Sequence, residues 1–249
     1  ADDRCLPERL AQQLAYLDAH PDVSVVGCRV RGFPDGQLQA GFRLYMEWLN
    51  DLIADADIRR EMFVESPLAH PSVMFRRNVV LQAGGYQDHG WPEDYDLWLR
   101  LFVAGAHFAK LPDVLLEWRE YPERLTRSSE RYSLENFLRL KAHYLALGPL
   151  AERDAVLIWG AGMVGRRLGK QLIHLGAPVT AYIDIDPRKI GSTRHRRPIL
   201  PPEELLEWWG SFEHPALLAA VGARGARALI RQRLVAMGLR EGQDWWGAA

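Results

Sequence analysis

Residues 155–186 read "AVLIWGAGMVGRRLGKQLIHLGAPVTAYIDID". An apolar run of five ends in a glycine-rich turn. A stretch with helical spacing follows, Gly176 stops it, and a second β-rich run closes on Asp184. Strand, glycine turn, helix, glycine stop and strand make a compact βαβ unit. Gly160, Gly162 and Gly165 spell G-x-G-x-x-G between the strand and the helix, the context in which that spacing is a dinucleotide fingerprint. Asp184 follows at about 20 residues, where such folds place a ribose-binding acid.

Working outward from this unit, the text changes character near "LALGPLAERDA", where Gly148 and Pro149 stop a helix predicted for "SLENFLRLKAHYLAL" with Ser133 as its cap. We therefore expect two domains, residues 1–150 and 151–249. The first reads as α/β. "LPERLAQQLAYLDAH" is an amphipathic helix and "VSVVGCRVR" a strand. "FRLYMEWLNDLIADADIRREMF" is helical, "PSVMFRR" a strand, "AGGY" a turn and "KLPDVLLEWR" a short strand. Between the last two lies "PEDYDLWLRL", a helix headed by Glu93, Asp94 and Asp96. Asp94, Leu97, Trp98 and Leu101 share one face of it. Acids at a helix start complement the macrodipole, and a carboxylate at the head of a buried stripe also suits a general base at a cleft.

Composition bounds the function classes. The 249 residues are 48% hydrophobic and 25% charged with a net charge of −1, a balance typical of a globular protein and without a field that recruits nucleic acid. Arg194-His195-Arg196-Arg197 reads as a solvated loop. Cys5 and Cys28 form no metal or redox spacing, which suits reduced thiols in the cytoplasm. Nine tryptophans suit core packing or the aromatic wall of a sugar site.

Several segments resemble inverting family 2 glycosyltransferases. "ADDRCLPERLAQQLAYLDAHPDVSVVGC" is similar to that family's acidic x-D-D motif with its following helix and strand. "HPSVMFRRNVVLQAGGYQDHGWPEDYDLWLRLFVAGAHFAKLPDVLLEWREYPERLTR" resembles its acceptor half, motif by motif and in order. The resemblance covers roughly residues 1 to 145. It implies a partial GT-A fold, a nucleotide-sugar donor, a glycan or lipid-linked acceptor, and Mg²⁺ or Mn²⁺. It also implies Asp94 as catalytic base, with Glu93 orienting the base or the acceptor. Asp3 would ligate the metal and Asp2 assist, and Arg119, Tyr86, Trp91 and His70 would lie about donor and acceptor. Asp96 is expected on the solvent side. Where many members carry R-x-H, this chain has Tyr121, which weakens a diphosphate role for that loop. The family's nucleotide-binding strands precede the x-D-D motif, so the chain is expected to be an N-terminally incomplete enzyme with Asp2 and Asp3 at an unfixed end, inactive by itself. Peripheral association with the inner membrane face or a pathway enzyme stays open.

The C-terminal part resembles small Rossmann-like domains attached to sugar-modifying enzymes. Its glycine turn would hold a nucleotide phosphate, with Arg224 as a further contact, or serve only helix–strand packing; a docking module is the third option. An NAD(P)-dependent oxidoreductase is the alternative from the glycine spacing alone. Against it stand the lack of a His, Lys or Tyr constellation and an expected single mononucleotide half.

Overall fold

The computed structural model describes residues 2–121, 124, 126 and 129–249. The chain forms two compact units, one of Ala1–Met62 with Ser66–Ser133 and the other of Phe63–Glu65 with Leu134–Ala249. The helix of residues 134–147, which the sequence groups with the first part, thus counts with the second.

In the first unit the elements run β1 (Arg4–Cys5), α1 (Arg9–Ala19), β2 (Val23–Phe33), α2 (Ala40–Asp51), α3 (Asp55–Glu61), β3 (Met74–Phe75), α4 (Arg77–Gln82), α5 (Glu93–Val103) and β4 (His107–Arg119). The sheet order is β1-β4-β2-β3. Its centre is the long parallel pair β2/β4, running from Val23 opposite His107 to Phe33 opposite Arg119. The first six residues of β2 are all buried, not alternating, so both faces of the strand are covered there. Gln13 of α1 is fully buried and its amide donates to the carbonyls of Val26 and Ser72 (2.9 and 2.8 Å). That one side chain fixes α1 against β2 and against the turn that carries His70.

Two local expectations change. "PSVMFRR" is mostly not strand: His70–Ser72 is a 3-10 turn, and only Met74 and Phe75 pair, with Val26 and Val25 of β2. Pro71 cannot donate to a ladder, and the Ser72 hydroxyl closes the turn on the Ala69 carbonyl at 2.7 Å. The other change is at the N-terminus. β1 pairs antiparallel with β4, Arg4 opposite Glu117 and Cys5 opposite Leu116, so Asp2 and Asp3 stand against the end of β4 and not on an unfixed end.

Lys110, in mid-β4, is buried, and among the described residues its ammonium donates to the carbonyls of Leu49 and Pro67. Burial pulls its pKa down to about 7 from an ordinary value near 10.5. Between those values the unfolded chain binds a proton that the folded one does not, so stability rises with pH through this window. At ~1.36 kcal/mol per unit the gain reaches a few kcal/mol. Above pH 9 the buried Cys28 thiol, held up at about 11, acts in the opposite sense. Urea unfolding should therefore show stability climbing from pH 7 to 9, and Lys110→Met should flatten that climb.

The second unit runs α6 (Leu134–Leu147), β5 (Ala155–Trp159), α7 (Met163–His174), β6 (Val179–Ile183), β7 (Thr193–Arg194), β8 (Arg197–Leu200), α8 (Leu205–Trp209), β9 (Pro215–Ala219), α9 (Ala226–Ala236) and β10 (Trp245–Gly247). Its sheet order is β10-β9-β5-β6-β8-β7, parallel except for the β7/β8 edge hairpin. The expectation of a single mononucleotide half is corrected here. β9 and β10 join β5 on the side opposite β6, so the order reverses at β5 and a crevice opens beyond the strand ends. β10 escapes a sequence reading because "WWG" is three residues long and has no alternation. The basic run 194–197 is the turn of the edge hairpin, with His195 and Arg196 left-handed (φ 49° and 62°). Tyr182 anchors that turn through a 2.9 Å hydrogen bond to His195 Nδ1.

No helix among the described residues is long and apolar enough to cross a membrane.

Candidate active site

α5 begins directly after Pro92, with Glu93, Asp94 and Asp96 in its first turn. Tyr95, Leu97, Trp98, Leu99 and Leu101 have no exposed surface, so the helix is embedded and its head is held rigidly. Asp94 is half-buried, and its carboxylate accepts the Tyr95 N–H at 2.8 Å. Burial pushes its pKa up, while the nearby His70 and that N–H draw it down. A carboxylate raised in this way is a stronger base than an exposed one. His70 Nε2 lies 2.8 Å from the Tyr86 hydroxyl. Burial, Asp94 and Glu93 together hold the Tyr86 phenol protonated. Glu93 accepts the Tyr132 hydroxyl at 3.2 Å and faces the Arg131 guanidinium at 3.7 Å.

Tyr86 and Glu93 border an open cavity of about 440 Å³ whose wall also includes Asp88, Arg131 and Tyr132. Asp94 is next to this wall and not part of it. His70, Tyr86, Glu93 and Asp94 are thus brought together as the sequence suggested. Arg131 and Tyr132 lie nearly 40 residues beyond Glu93 and leave no periodic signal in the sequence, and Asp88, shortly before α5, reads as an ordinary loop acid.

Asp96 corrects an expectation. It is not on the solvent side but fully buried, with Trp91 Nε1 donating to one oxygen at 2.8 Å and Arg100 Nη2 to the other at 2.5 Å. Arg100 also donates to the carbonyls of Ala83 and Gly85. Asp96 and Arg100 therefore lock α5 to the glycine turn that presents Tyr86. Trp91 has its ring N–H committed to Asp96 and the residue is 9% exposed, so it packs against the head of α5. Removing one partner of a buried pair costs about 3–5 kcal/mol. Arg100→Met should lose that much stability in urea unfolding, and Asp96→Asn less, because an amide still accepts from the indole.

The second group lies at the β1/β4 end. Asp3 Oδ1 accepts the Arg119 N–H at 2.9 Å, and burial pushes the Asp3 carboxyl up. Arg119 itself is exposed, with its guanidinium 5.9 Å from the Tyr121 ring. Burial and then the Asp2 carboxylate keep the Tyr121 phenol protonated. Among the described residues no group of three or more His, Cys, Asp or Glu side chains could hold a metal. Two adjacent carboxylates do fit the mode in which Mg²⁺ takes one or two protein oxygens and draws the rest from phosphates and water.

In the second unit the three glycines differ in what they do. Gly160 has φ +117°, and a Cβ there would lie 2.8 Å from the Ala220 carbonyl. At Gly165 a Cβ would lie 1.8 Å from the Gly160 carbonyl, so this glycine lets α7 sit on β5. At Gly162 a Cβ would meet nothing within 4 Å. Asp184 is buried with both oxygens engaged: Oδ2 accepts the Ala161 N–H (2.9 Å) and Lys189 Nζ (3.0 Å), and Oδ1 accepts the Asp186 N–H (2.9 Å). These bonds hold its pKa down against the effect of burial. The expected ribose acceptor is thus a clamp on the glycine turn. Arg224 is exposed and stands outside the cavity beside that turn.

Part of the chain is similar to known enzymes. The amylovoran biosynthesis glycosyltransferase AmsE of Erwinia amylovora is 38% identical over 118 residues, 47% of this chain and 42% of that protein. The chain is glycosyltransferase-like over about half its length. The O-antigen biosynthesis glycosyltransferase WbnJ of Escherichia coli is 29% identical over 147 residues, 56% of this chain and 55% of the relative. The UDP-Gal:alpha-D-GlcNAc-diphosphoundecaprenol beta-1,3-galactosyltransferase of Escherichia coli is 26% identical over 93 residues, 37% of this chain and 34% of the relative. The chain spans about half, or less, of the length of these curated relatives. No protein-family model matches it. Among solved structures, a Rex-family repressor covers 45% of this chain and 59% of its own at 16% identity with a TM-score of 0.33, too distant to carry an argument.

Proposed function

We propose that the first unit is the acceptor-side part of an inverting, family 2-type glycosyltransferase of GT-A fold, with Asp94 as its base. The observation that supports this most is the head of α5: a carboxylate with a raised pKa on a rigid helix, beside a cavity walled by Tyr86 and Glu93. In the proposed step the acceptor oxygen forms a bond to the anomeric carbon as the bond from that carbon to the donor phosphate breaks. The acceptor proton passes to Asp94, and the electron pair of the broken bond leaves with the nucleoside diphosphate. Glu93, held by Tyr132 and Arg131, orients the acceptor, and the protonated Tyr86, paired with His70, donates to it. Asp2 and Asp3 would hold Mg²⁺ or Mn²⁺, which when bound neutralises charge on the leaving diphosphate. The acceptor would be a glycan or lipid-linked glycan of a cell-surface polysaccharide, by analogy with the relatives' names, and the setting cytoplasmic or at the inner membrane face. Since the similarity reaches only about half the length of each relative, transfer is proposed for a whole enzyme that contains this part. The test is a chimera in which the N-terminal half of the Erwinia relative precedes Asp2: donor-dependent transfer that is abolished by Asp94→Asn supports the proposal, and transfer indifferent to that change refutes it.

A further inference from the structure

Beyond the β5 strand end, at the point where the second sheet reverses its order, lies a cavity of about 700 Å³. It is of the size that takes a small-molecule ligand, and most of its wall is apolar. Gly160 and Gly162 form one side, Asp184 to Lys189 a second, and the α9 face of Ala226, Leu229, Ile230 and Arg233 a third. Ile185 and Leu229 stand 72% and 68% exposed on opposite elements of this wall, an arrangement that suits the two faces of a flat ring. α7 starts at the cavity with no side chain capping it, so its first N–H groups point at whatever fills the space. The open position at Gly162 lets a ligand approach that backbone closely. Two cations, Lys189 and Arg233, complete the lining.

From this we infer that the second unit binds a nucleoside diphosphate whose ribose hydroxyls it does not read. The diphosphate would lie on the N–H groups at the start of α7, where helix ends favour anions. The base would lie between the Ile185 and Leu229 side chains, contacts that do not discriminate strongly among bases. The departure from the usual dinucleotide site is Asp184. A carboxylate offers about four acceptor positions, and three of Asp184's are taken by Ala161, Lys189 and Asp186 in a side chain that is 9% exposed. Accepting a ribose pair would mean breaking the clamp that shapes the glycine turn. The site is independent of the transferase cavity, so either assignment can fail alone.

Calorimetric titration of the full chain with ADP, UDP and 2′-deoxy-ADP tests this. Expected are saturable isotherms for all three, with the deoxy nucleotide within about threefold of ADP. Gly162→Asp locates the site. Its backbone (φ −79°, ψ −163°) accepts any residue, its Cβ is in open space, and aspartate is a favourable helix cap. The variant should melt like the parent yet bind each nucleotide at least tenfold more weakly, because a carboxylate then occupies the phosphate position. Absence of saturable binding in the parent, or unchanged affinity in Gly162→Asp, overturns the site. A tenfold or greater preference for ADP over its deoxy analogue overturns the inference about Asp184.

Discussion

Asp94→Asn should lower transfer in the chimera with the Erwinia relative by roughly 10²–10⁴-fold, the usual worth of a positioned general base. The amide keeps the size of the carboxylate and can still accept the Tyr95 N–H, so α5 should form as before. What it cannot do is take the acceptor's proton. The loss should fall on kcat with donor KM nearly unchanged, the pattern of an interaction made only in the transition state. The pH profile provides a second readout. Burial holds the Asp94 pKa above the ordinary carboxylate value, so the parent should lose activity on acidification earlier than an exposed aspartate would dictate. Glu93→Gln should have a milder effect, because Tyr132 can still donate to the remaining carbonyl oxygen. Near-parental turnover in Asp94→Asn would remove Asp94 from the role.

Gly165→Ala should abolish the fold of the second unit. A single methyl there would sit 1.8 Å from the Gly160 carbonyl oxygen and 3.3 Å from Ile158. Neither neighbour can yield cheaply. Gly160 is fixed at φ +117° between β5 and the Ala220 carbonyl, and Ile158 is fully buried in the central strand. Relief requires α7 to lift off the sheet, uncovering Leu168 and Leu172. Overpacking commonly costs 1–3 kcal/mol, and with rigid backbone on both sides the cost should exceed ~3 kcal/mol. Gly162→Ala, three residues away in open space, is the matched control and should change stability by less than ~1 kcal/mol. Thermal unfolding followed by near-ultraviolet circular dichroism distinguishes them, and equal melting temperatures would show that α7 is not seated as described.

Legibility followed locality. The βαβ unit could be read because strand, turn and helix are contiguous and because glycine spacing reports a backbone requirement. Helix α5 could be read for the same reason, with four residues of its face within eight positions. The role of Asp96 could not: nothing in "EDYDLWLRL" separates an acid aimed at solvent from one aimed at Arg100 and the Trp91 indole. That choice is made by the glycine turn whose carbonyls also bind Arg100. The strand reading of "PSVMFRR" fails because Pro71 lies in a 3-10 turn and cannot donate to a ladder, which leaves only Met74 and Phe75 to pair. Asp184 stands where the glycine spacing predicts it, and the sequence does not show that its oxygens are engaged, since Lys189, only five residues on, reads as surface charge. The far wall of the cavity beside Glu93, at Arg131 and Tyr132, is brought there by tertiary structure alone.

Lys110 has a chemical consequence separate from stability. An amine that loses its proton near pH 7 is a nucleophile at neutrality, whereas most lysines are then inert ammonium ions. The packing of β4 that lowers the pKa also keeps reagents from the amine, which donates to the carbonyls of Leu49 and Pro67. Each opening of that sheet returns the amine to water, where its pKa climbs back toward 10.5 and it takes up a proton, so near pH 8 excursions of the first unit from its native state are proton-uptake events.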